Sequence, residues 1–189
     1  MKVLILLALL ATATFAAQVC QTISGQTGRW YISNGVPYPC ASTTRYSDTS
    51  KGACGCGTGT GVGTAFTWQY QILIASVNTP LFGSGSWCGS GCGKCYAVTP
   101  TGGYVDGQGT APSNLKTRVV MVTSFCDAQY TPTWCTSPNT YGYTYHFNMM
   151  DQNYNGLVTA MGWNNPEVYY FEIPCPVNRQ NLWNNCECA

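Results

Sequence analysis

The sequence predicts a mainly β fold, a barrel or a sandwich, that is rich in disulfides. Short runs of β-branched and aromatic residues are bounded by Gly, Pro, Asn or Ser, and such runs are typical of strands. Glycine is abundant, and the chain contains twelve cysteines. Because only one segment has helical spacing, the pattern favours an all-β architecture, and no internal repeat or linker divides the chain.

The first 16 residues have the pattern of a secretory signal peptide. Lys2 precedes an apolar run over residues 3 to 10, and small residues follow as far as Ala16. The apolar run is much shorter than the roughly 20 residues that a membrane span needs. We therefore predict a leader over residues 1–16, followed by a single secreted, extracellular domain over residues 17–189.

The charge balance argues against polyanionic partners. The chain has eight Lys or Arg and seven Asp or Glu, and removal of Lys2 with the leader leaves seven of each. A net charge near zero makes nucleic acids and anionic membrane surfaces poor partners. We expect a monomer that binds neither nucleic acid nor membrane.

All twelve cysteines follow the leader, and this even number in a chain bound for an oxidising compartment predicts up to six disulfides. The alternative is a zinc or redox site at Cys92 and Cys95, since their two-residue gap suits both. The chain has a single histidine, His146, which disfavours zinc. We expect no metal and no cofactor.

Five segments are predicted to be strands, and one is predicted to be a helix. In residues 66–77, apolar residues recur at three- and four-residue spacing, which indicates an amphipathic helix. Trp68 and Trp163 are expected in the core, whereas Trp134 lies in a loop between cysteines and is expected to be more exposed. The predicted strands are residues 95–99, 117–125, 143–150, 156–163 and 168–173.

The stretch TTRYSDTSKGAC, residues 43 to 54, concentrates charge in a chain with few charged residues. Arg45 and Lys51 lie three positions to either side of Asp48, where either cation could hold the carboxylate ionised. An ionised carboxylate suits a general base. The alternative is a turn-capping aspartate, because Asp followed by Thr and Ser is common in turns.

This stretch resembles the signature of glycoside hydrolase family 45, the small secreted endoglucanases. In that signature, Thr-Arg-Tyr, an aromatic residue and then Asp precede a cysteine six residues on. Ser47 replaces the aromatic residue of the fungal members. The resemblance is closest to the short, single-domain animal type known from molluscs. The signature residues present are Thr44, Arg45, Tyr46, Asp48 and Cys54, and the resemblance extends over residues 40–57, 87–109, 141–147, 161–167 and 186–188.

The resemblance implies a six-stranded double-psi β-barrel with one or two short helices and an open groove, related to the barrels of expansins and barwin-like proteins. It also implies endo-β-1,4-glucanase activity with inversion, in which one carboxylate activates water and a protonated carboxyl group serves the leaving oxygen. Asp48 matches the base. The β-1,4-glucan would be bound by residues that include Thr44, Arg45, Tyr46, Lys51, Asp106, Ser124, Trp134 and His146.

The acid position departs from the family pattern. The family acid lies two residues after a histidine, and here that run is His146-Phe147-Asn148. An amide has no proton of suitable acidity for a leaving glycosidic oxygen. Asp151 is one replacement, although strand alternation places positions 148 and 151 on opposite faces unless a bulge or turn intervenes. Asp106 and Asp127 are the others.

These departures leave a second function open. Ser124 occupies a position where related sequences often have Asn or Asp, and it retains only a hydroxyl. A non-hydrolytic, expansin-like protein that binds glucan or loosens walls would use Asn148 as a polar contact to sugar. A barwin-like defence protein is a third possibility. His146 is expected to be mainly a structural hydrogen-bonding residue, because inverting glycosidases need no imidazole.

Overall fold

The computed structural model describes residues 19–48, 50–57, 67–68, 70–151 and 156–189. The leader, residues 1–16, lies outside these ranges. The strands are β1 (Gln21–Thr22), β2 (Arg29–Ser33), β3 (Val36–Tyr46), β4 (Leu73–Val77), β5 (Cys95–Tyr104), β6 (Arg118–Phe125), β7 (Tyr145–Met150) and β8 (Pro166–Ile173). The short helices are α1 (Thr79–Phe82), α2 (Pro132–Cys135), α3 (Leu157–Ala160) and α4 (Val177–Trp183).

Six of the strands close into a barrel. They are hydrogen-bonded in the order β3, β7, β4, β6, β5, β8, and β8 pairs back onto β3. The pairs β3–β7 and β4–β6 are parallel, and the other barrel pairs are antiparallel. Strands β1 and β2 extend from β3 as an antiparallel ribbon. Closure leaves the six barrel strands without a free edge, as the predicted barrel requires.

The barrel encloses one main apolar core. Every residue of β4 is buried, and β6 contributes Val120, Met121 and Val122. Trp68 and Trp163 are both buried in this core, which confirms their predicted placement. No helix in the described ranges is long and apolar enough to cross a membrane.

All twelve cysteines are paired in six disulfides, which confirms the disulfide prediction. Cys92 and Cys95 belong to two different bridges, so their two-residue gap is not a dithiol site. Among the described residues there is no group of three or more His, Cys, Asp or Glu side chains that could hold a metal ion. The pairs are Cys20–Cys40, Cys54–Cys92, Cys56–Cys186, Cys88–Cys188, Cys95–Cys175 and Cys126–Cys135.

Four of the five predicted strands are confirmed as parts of β5, β6, β7 and β8. The fifth, over residues 156–163, is wrong, because it contains helix α3. The buried carboxylate of Asp151 accepts a hydrogen bond from the Thr159 backbone N–H in the first turn of this helix, where helical N–H groups lack internal partners.

The predicted helix over residues 66–77 is wrong from Leu73 onward, where the chain forms β4. Thr67 and Trp68 are helical, and residues 66 and 69 lie outside the described ranges. A short apolar run that is buried on both faces has no polar alternation, so periodicity cannot distinguish it from a buried helix.

Candidate active site

An open groove crosses the barrel beside β3 and β7. It consists of two adjoining cavities of about 630 and 290 Å³. Tyr46, Asp48, Thr131 and Asn148 line both cavities, so the two volumes form one groove. The larger cavity is also lined by Thr44, Arg45, Ser47, Gln108, Trp134 and Asn165. The smaller one is also lined by Ser50, Ser76, Ser124, Phe125, Cys126, Asp127, Tyr130 and Cys135.

Small polar side chains form a row across the groove floor. In the strand register, Asn148 of β7 pairs with Thr44 of β3 on one side and with Ser76 of β4 on the other. Ser76 in turn pairs with Ser124 of β6. The barrel topology thus brings four hydrogen-bonding side chains from four strands to one level of the groove.

Asp48 lies two residues after the end of β3, where the chain leaves the barrel, and its side chain is exposed. Its Oδ1 accepts hydrogen bonds from the Ser50 backbone N–H at 3.0 Å and from the Ser50 hydroxyl at 2.8 Å. This is the turn geometry that Asp-Thr-Ser favours. Because the carboxylate also lines both cavities, the turn-capping and groove alternatives for Asp48 are compatible.

The two cations flanking Asp48 make contacts elsewhere. The Arg45 guanidinium donates to the Thr159 hydroxyl at 2.9 Å and lies 3.9 Å from the Asp151 carboxylate. Lys51 forms an ion pair with Glu187, and it does not belong to the lining of either cavity. Arg45 therefore lines the groove as expected, whereas the structure does not bring Lys51 to it.

Tyr46, the last residue of β3, is half-buried between the groove and the core. Burial raises the pKa of its phenol well above the ordinary value, and the nearby charge of Asp48 raises it further, while a hydrogen bond with Ser76 acts in the opposite direction. The phenol therefore stays neutral at ordinary pH. Tyr46 lines both cavities beside the candidate base.

His146 lies beneath the groove and not on its wall. It is fully buried, and its Nε2 lies 2.9 Å from the Thr44 hydroxyl, which also donates to the Asn148 Oδ1 at 2.7 Å. Burial lowers the pKa of His146 from its ordinary 6.5 to about 3. The ring of Trp134 stacks on the imidazole with centroids 5.6 Å apart. His146 is thus a neutral support for the groove residues Thr44 and Trp134.

The candidate replacement acids have different surroundings. Asp127 lines the smaller cavity together with Asp48, and its Oδ1 accepts a hydrogen bond from the Gln129 backbone N–H at 2.8 Å. Asp106 is exposed and lies outside the lining of both cavities. Asp151 is fully buried and accepts two hydrogen bonds from Thr159. Of the described carboxylates, only Asp48 and Asp127 line the groove.

One wall of the groove is the loop enclosed by the Cys126–Cys135 disulfide, which ends in helix α2. Trp134 lies in this helix, so its predicted placement in a loop is wrong. Tyr130 lies on this loop with 81% of its surface exposed, and Thr131 lines both cavities. Tyr130 was not predicted as a groove residue, although its position between two closely spaced cysteines was an available signal. Gln108, Asn165 and Ser76 were also missed, because nothing in their local sequence distinguishes them.

Comparisons with known proteins agree on one family. The model of the EXPB1-like domain 1 matches residues 41–184. An endoglucanase of Mytilus edulis is 36% identical over 165 residues, which are 79% of this chain and 91% of that protein. The structure of the family 45 endoglucanase EG27II, solved at pH 8.0 with cellobiose, has a TM-score of 0.81 and 42% identity, and the match covers 92% of this chain and 99% of EG27II.

The structure of the β-1,4-D-endoglucanase Cel45A from the blue mussel Mytilus edulis has a TM-score of 0.76 and 34% identity, over 90% of this chain and 98% of that one. These matches define the class of protein as a glycoside hydrolase. The chain belongs to glycoside hydrolase family 45, whose double-psi barrel it shares, and the EXPB1-like match reflects the relationship of this barrel to that of expansins.

Proposed function

We propose that this protein is a secreted, monomeric endo-β-1,4-glucanase that hydrolyses internal bonds of cellulose or a related glucan with inversion. The observation that carries this proposal is the position of Asp48, an exposed carboxylate that lines both cavities of the groove. EG27II, which shares the fold at 42% identity, was solved with cellobiose, a pair of β-1,4-linked glucose units. A glucan chain is therefore the ligand class that we assign to this groove.

In the proposed reaction, Asp48 removes a proton from a water molecule that attacks the anomeric carbon from the face opposite the leaving group. Inverting enzymes separate base and acid by roughly 6.5 to 9.5 Å to admit this water. The Tyr46 ring suits an apolar sugar face. The hydroxyls of Ser76 and Ser124 offer hydrogen bonds to sugar hydroxyls, whereas the Thr44 hydroxyl is engaged by His146 and Asn148.

We assign the proton donor to Asp127. Asn148 occupies the family acid position, but its amide has no proton to transfer at ordinary pH. Asp127 is the carboxyl group that lines the same cavity as Asp48. Asp151 is buried with its Oδ2 engaged by Thr159, and Asp106 lies outside the groove lining, so both are poorer candidates.

Asn148 favours a second candidate function. A groove with a base but an amide in place of the acid can bind glucan without cutting it, as an expansin-like protein would. The match of residues 41–184 to the EXPB1-like domain is compatible with this alternative, although the full-length relatives at 34 to 42% identity are endoglucanases.

Carboxymethylcellulose separates the two candidates. Purified protein is incubated with the polymer, and new reducing ends are counted for the wild type and for Asp48→Ala. Reducing ends that appear with the wild type and vanish with the variant support the glucanase. Retention of the protein on insoluble cellulose without any reducing ends supports the non-hydrolytic binder. Retention on chitin but not on cellulose would contradict both.

A further inference from the structure

A series of hydrogen bonds connects the buried Asn139 to the groove. The donor and acceptor roles along this series are determined at Asn139. We propose that Asn139, acting through His146, orients the Asn148 amide so that its Nδ2 faces the groove and donates a hydrogen bond to a glucan oxygen. The orientation follows from the protein alone, and the glucan contact rests on the proposed function. Asn139 and His146 are positioning residues in this scheme.

The donor and acceptor roles can be assigned first at Asn139, which is buried in the loop after α2. Its Oδ1 accepts hydrogen bonds from the backbone N–H groups of Tyr141 and Tyr143, both at 3.1 Å. Backbone N–H groups only donate, so this end of the side chain must be the oxygen. The Nδ2 end must therefore be the group that donates to the Ser42 Oγ at 2.8 Å.

The hydrogen bond from Asn139 to Ser42 determines which partner donates between Ser42 and His146. The Ser42 side chain is fully buried, and its oxygen accepts from Asn139. Among the described contacts, its hydroxyl proton then finds an acceptor only in the His146 Nδ1, which lies 2.8 Å away. A neutral imidazole has one acceptor nitrogen and one donor nitrogen. With Nδ1 as the acceptor, the proton of the ring is on Nε2, which donates to the Thr44 Oγ1 at 2.9 Å. Burial, which lowers the pKa of His146 to about 3, keeps the ring neutral.

Thr44 completes the chain. Its oxygen accepts from His146, so its hydroxyl proton goes to the Asn148 Oδ1 at 2.7 Å. The carbonyl end of the Asn148 amide is then engaged on the Thr44 side, and the Nδ2 end is available to the groove that Asn148 lines. If every bond in the chain were reversed, Asn148 would present its carbonyl oxygen to the groove instead.

The orientation of the Asn148 amide determines what kind of ligand atom this side chain can bind. An amide N–H donates to a sugar oxygen as a protonated carboxyl group would, but it keeps its proton. In place of the family acid, Asn148 would then hold a glucan oxygen without itself supplying a proton. If Asn148 presented its carbonyl to the groove, the glucan oxygen would have no donor there. Two facing oxygens without a shared proton are costly when water is excluded.

The chain has a single histidine, so selective ¹⁵N labelling of histidine gives one pair of ring signals. We expect the wild-type spectrum to show a protonated Nε2 and an unprotonated Nδ1 at neutral pH. Asn139→Asp keeps the shape of the side chain but replaces the donor with a carboxylate oxygen that can only accept. Ser42 then donates to that carboxylate, and we expect the proton of the ring to move to Nδ1.

Cellohexaose affinity provides the second measurement. We expect Asn139→Asp to weaken binding by about tenfold, the loss of one well-placed hydrogen bond, because the Asn148 carbonyl would replace the donor. Asn181→Asp is the matched control, since it makes the same chemical change on the exposed face of α4, outside the groove lining. It should leave both the tautomer and the affinity unchanged.

A wild-type ring protonated on Nδ1 would overturn the orientation. An unchanged tautomer in Asn139→Asp would overturn the role of Asn139, and a changed tautomer with unchanged affinity would overturn the glucan contact. If the tautomer behaves as expected but the wild type does not bind cellohexaose, the orientation stands and the proposed function fails.

Discussion

Asp48 and Asn148 line the same two cavities of the groove, the first on the chain that leaves β3 and the second within β7. One position carries the candidate base. The other carries an amide where family 45 carries its acid. Under the proposed function, the groove therefore keeps one of the two proton-transfer groups of a family 45 active site and has an amide at the position of the other.

Restoring the carboxyl group at position 148 should increase hydrolysis. In Asn148→Asp, one carboxyl oxygen can accept from Thr44, as the amide oxygen does at 2.7 Å, and the other can carry a proton into the groove. General acid catalysis contributes on the order of 10² to 10⁴ in rate. Because Asp127 already serves as the proposed acid, we expect kcat on cellohexaose to rise by less than that factor. Asn148→Ala is the control. No gain from Asp in a folded variant would show that the missing acid does not limit the reaction.

Removal of the proposed proton donor should slow the wild-type reaction. Asp127→Asn keeps the size of the side chain and its contact with Gln129, but it abolishes acid catalysis, so we expect kcat to fall by about 10² or more. Asp106→Asn is the matched control, because Asp106 is an exposed acid outside the groove lining. Equal activity of the two variants and the wild type would exclude Asp127 as the acid.

The exposed ring of Tyr130 should contribute to glucan binding. Covering an apolar side chain of this size is worth about 1.5 to 3 kcal/mol when complete, so partial cover by one sugar should make Tyr130→Ala bind cellohexaose about tenfold more weakly. Tyr70→Ala is the control, since Tyr70 is 54% exposed and does not line the groove. Calorimetric titration measures both. The same loss in both variants would indicate a general effect on the fold.

The buried, neutral His146 should make stability depend on pH. Its pKa is lowered to about 3 in the folded protein, so the unfolded chain takes up a proton below about 6.5 and the folded one does not. The stabilisation is fully present above pH 6.5 and is lost as pH falls from 6.5 towards 3, at about 1.4 kcal/mol per pH unit. Urea unfolding between pH 7 and pH 5, above the titration of most carboxyl groups, isolates this effect. A flat profile there would contradict it.

The sequence predicted the barrel and part of its groove, because some of the signals are local. The Asp-Thr-Ser turn at Asp48 and the family resemblance around it identified the candidate base, and β-branched runs identified β5 to β8. Strand β3 was missed because Pro37 and Pro39 disfavour a ladder, but both lie where β3 pairs with the outer ribbon. Strand β4 was misread as helical because it is buried on both faces.

The rest of the site depends on contacts that spacing cannot show. Asn139 and Ser42 are separated by 97 residues, and His146 and Ser42 by 104. Their alignment is set by barrel closure and by the register of β3 against β7. Asp151 illustrates the same limit: its position near Asn148 in sequence suggested a groove acid, whereas the structure buries it against α3.

The proposed function depends most directly on Asp48. One comparison tests it: the rate at which the wild type and Asp48→Asn cleave cellohexaose, together with the affinity of each for this substrate. The substitution keeps the shape and removes the base, so we expect a fall in kcat of about 10² to 10⁴ with binding nearly unchanged. Cleavage by Asp48→Asn at the wild-type rate would contradict the claim that Asp48 activates water in this groove.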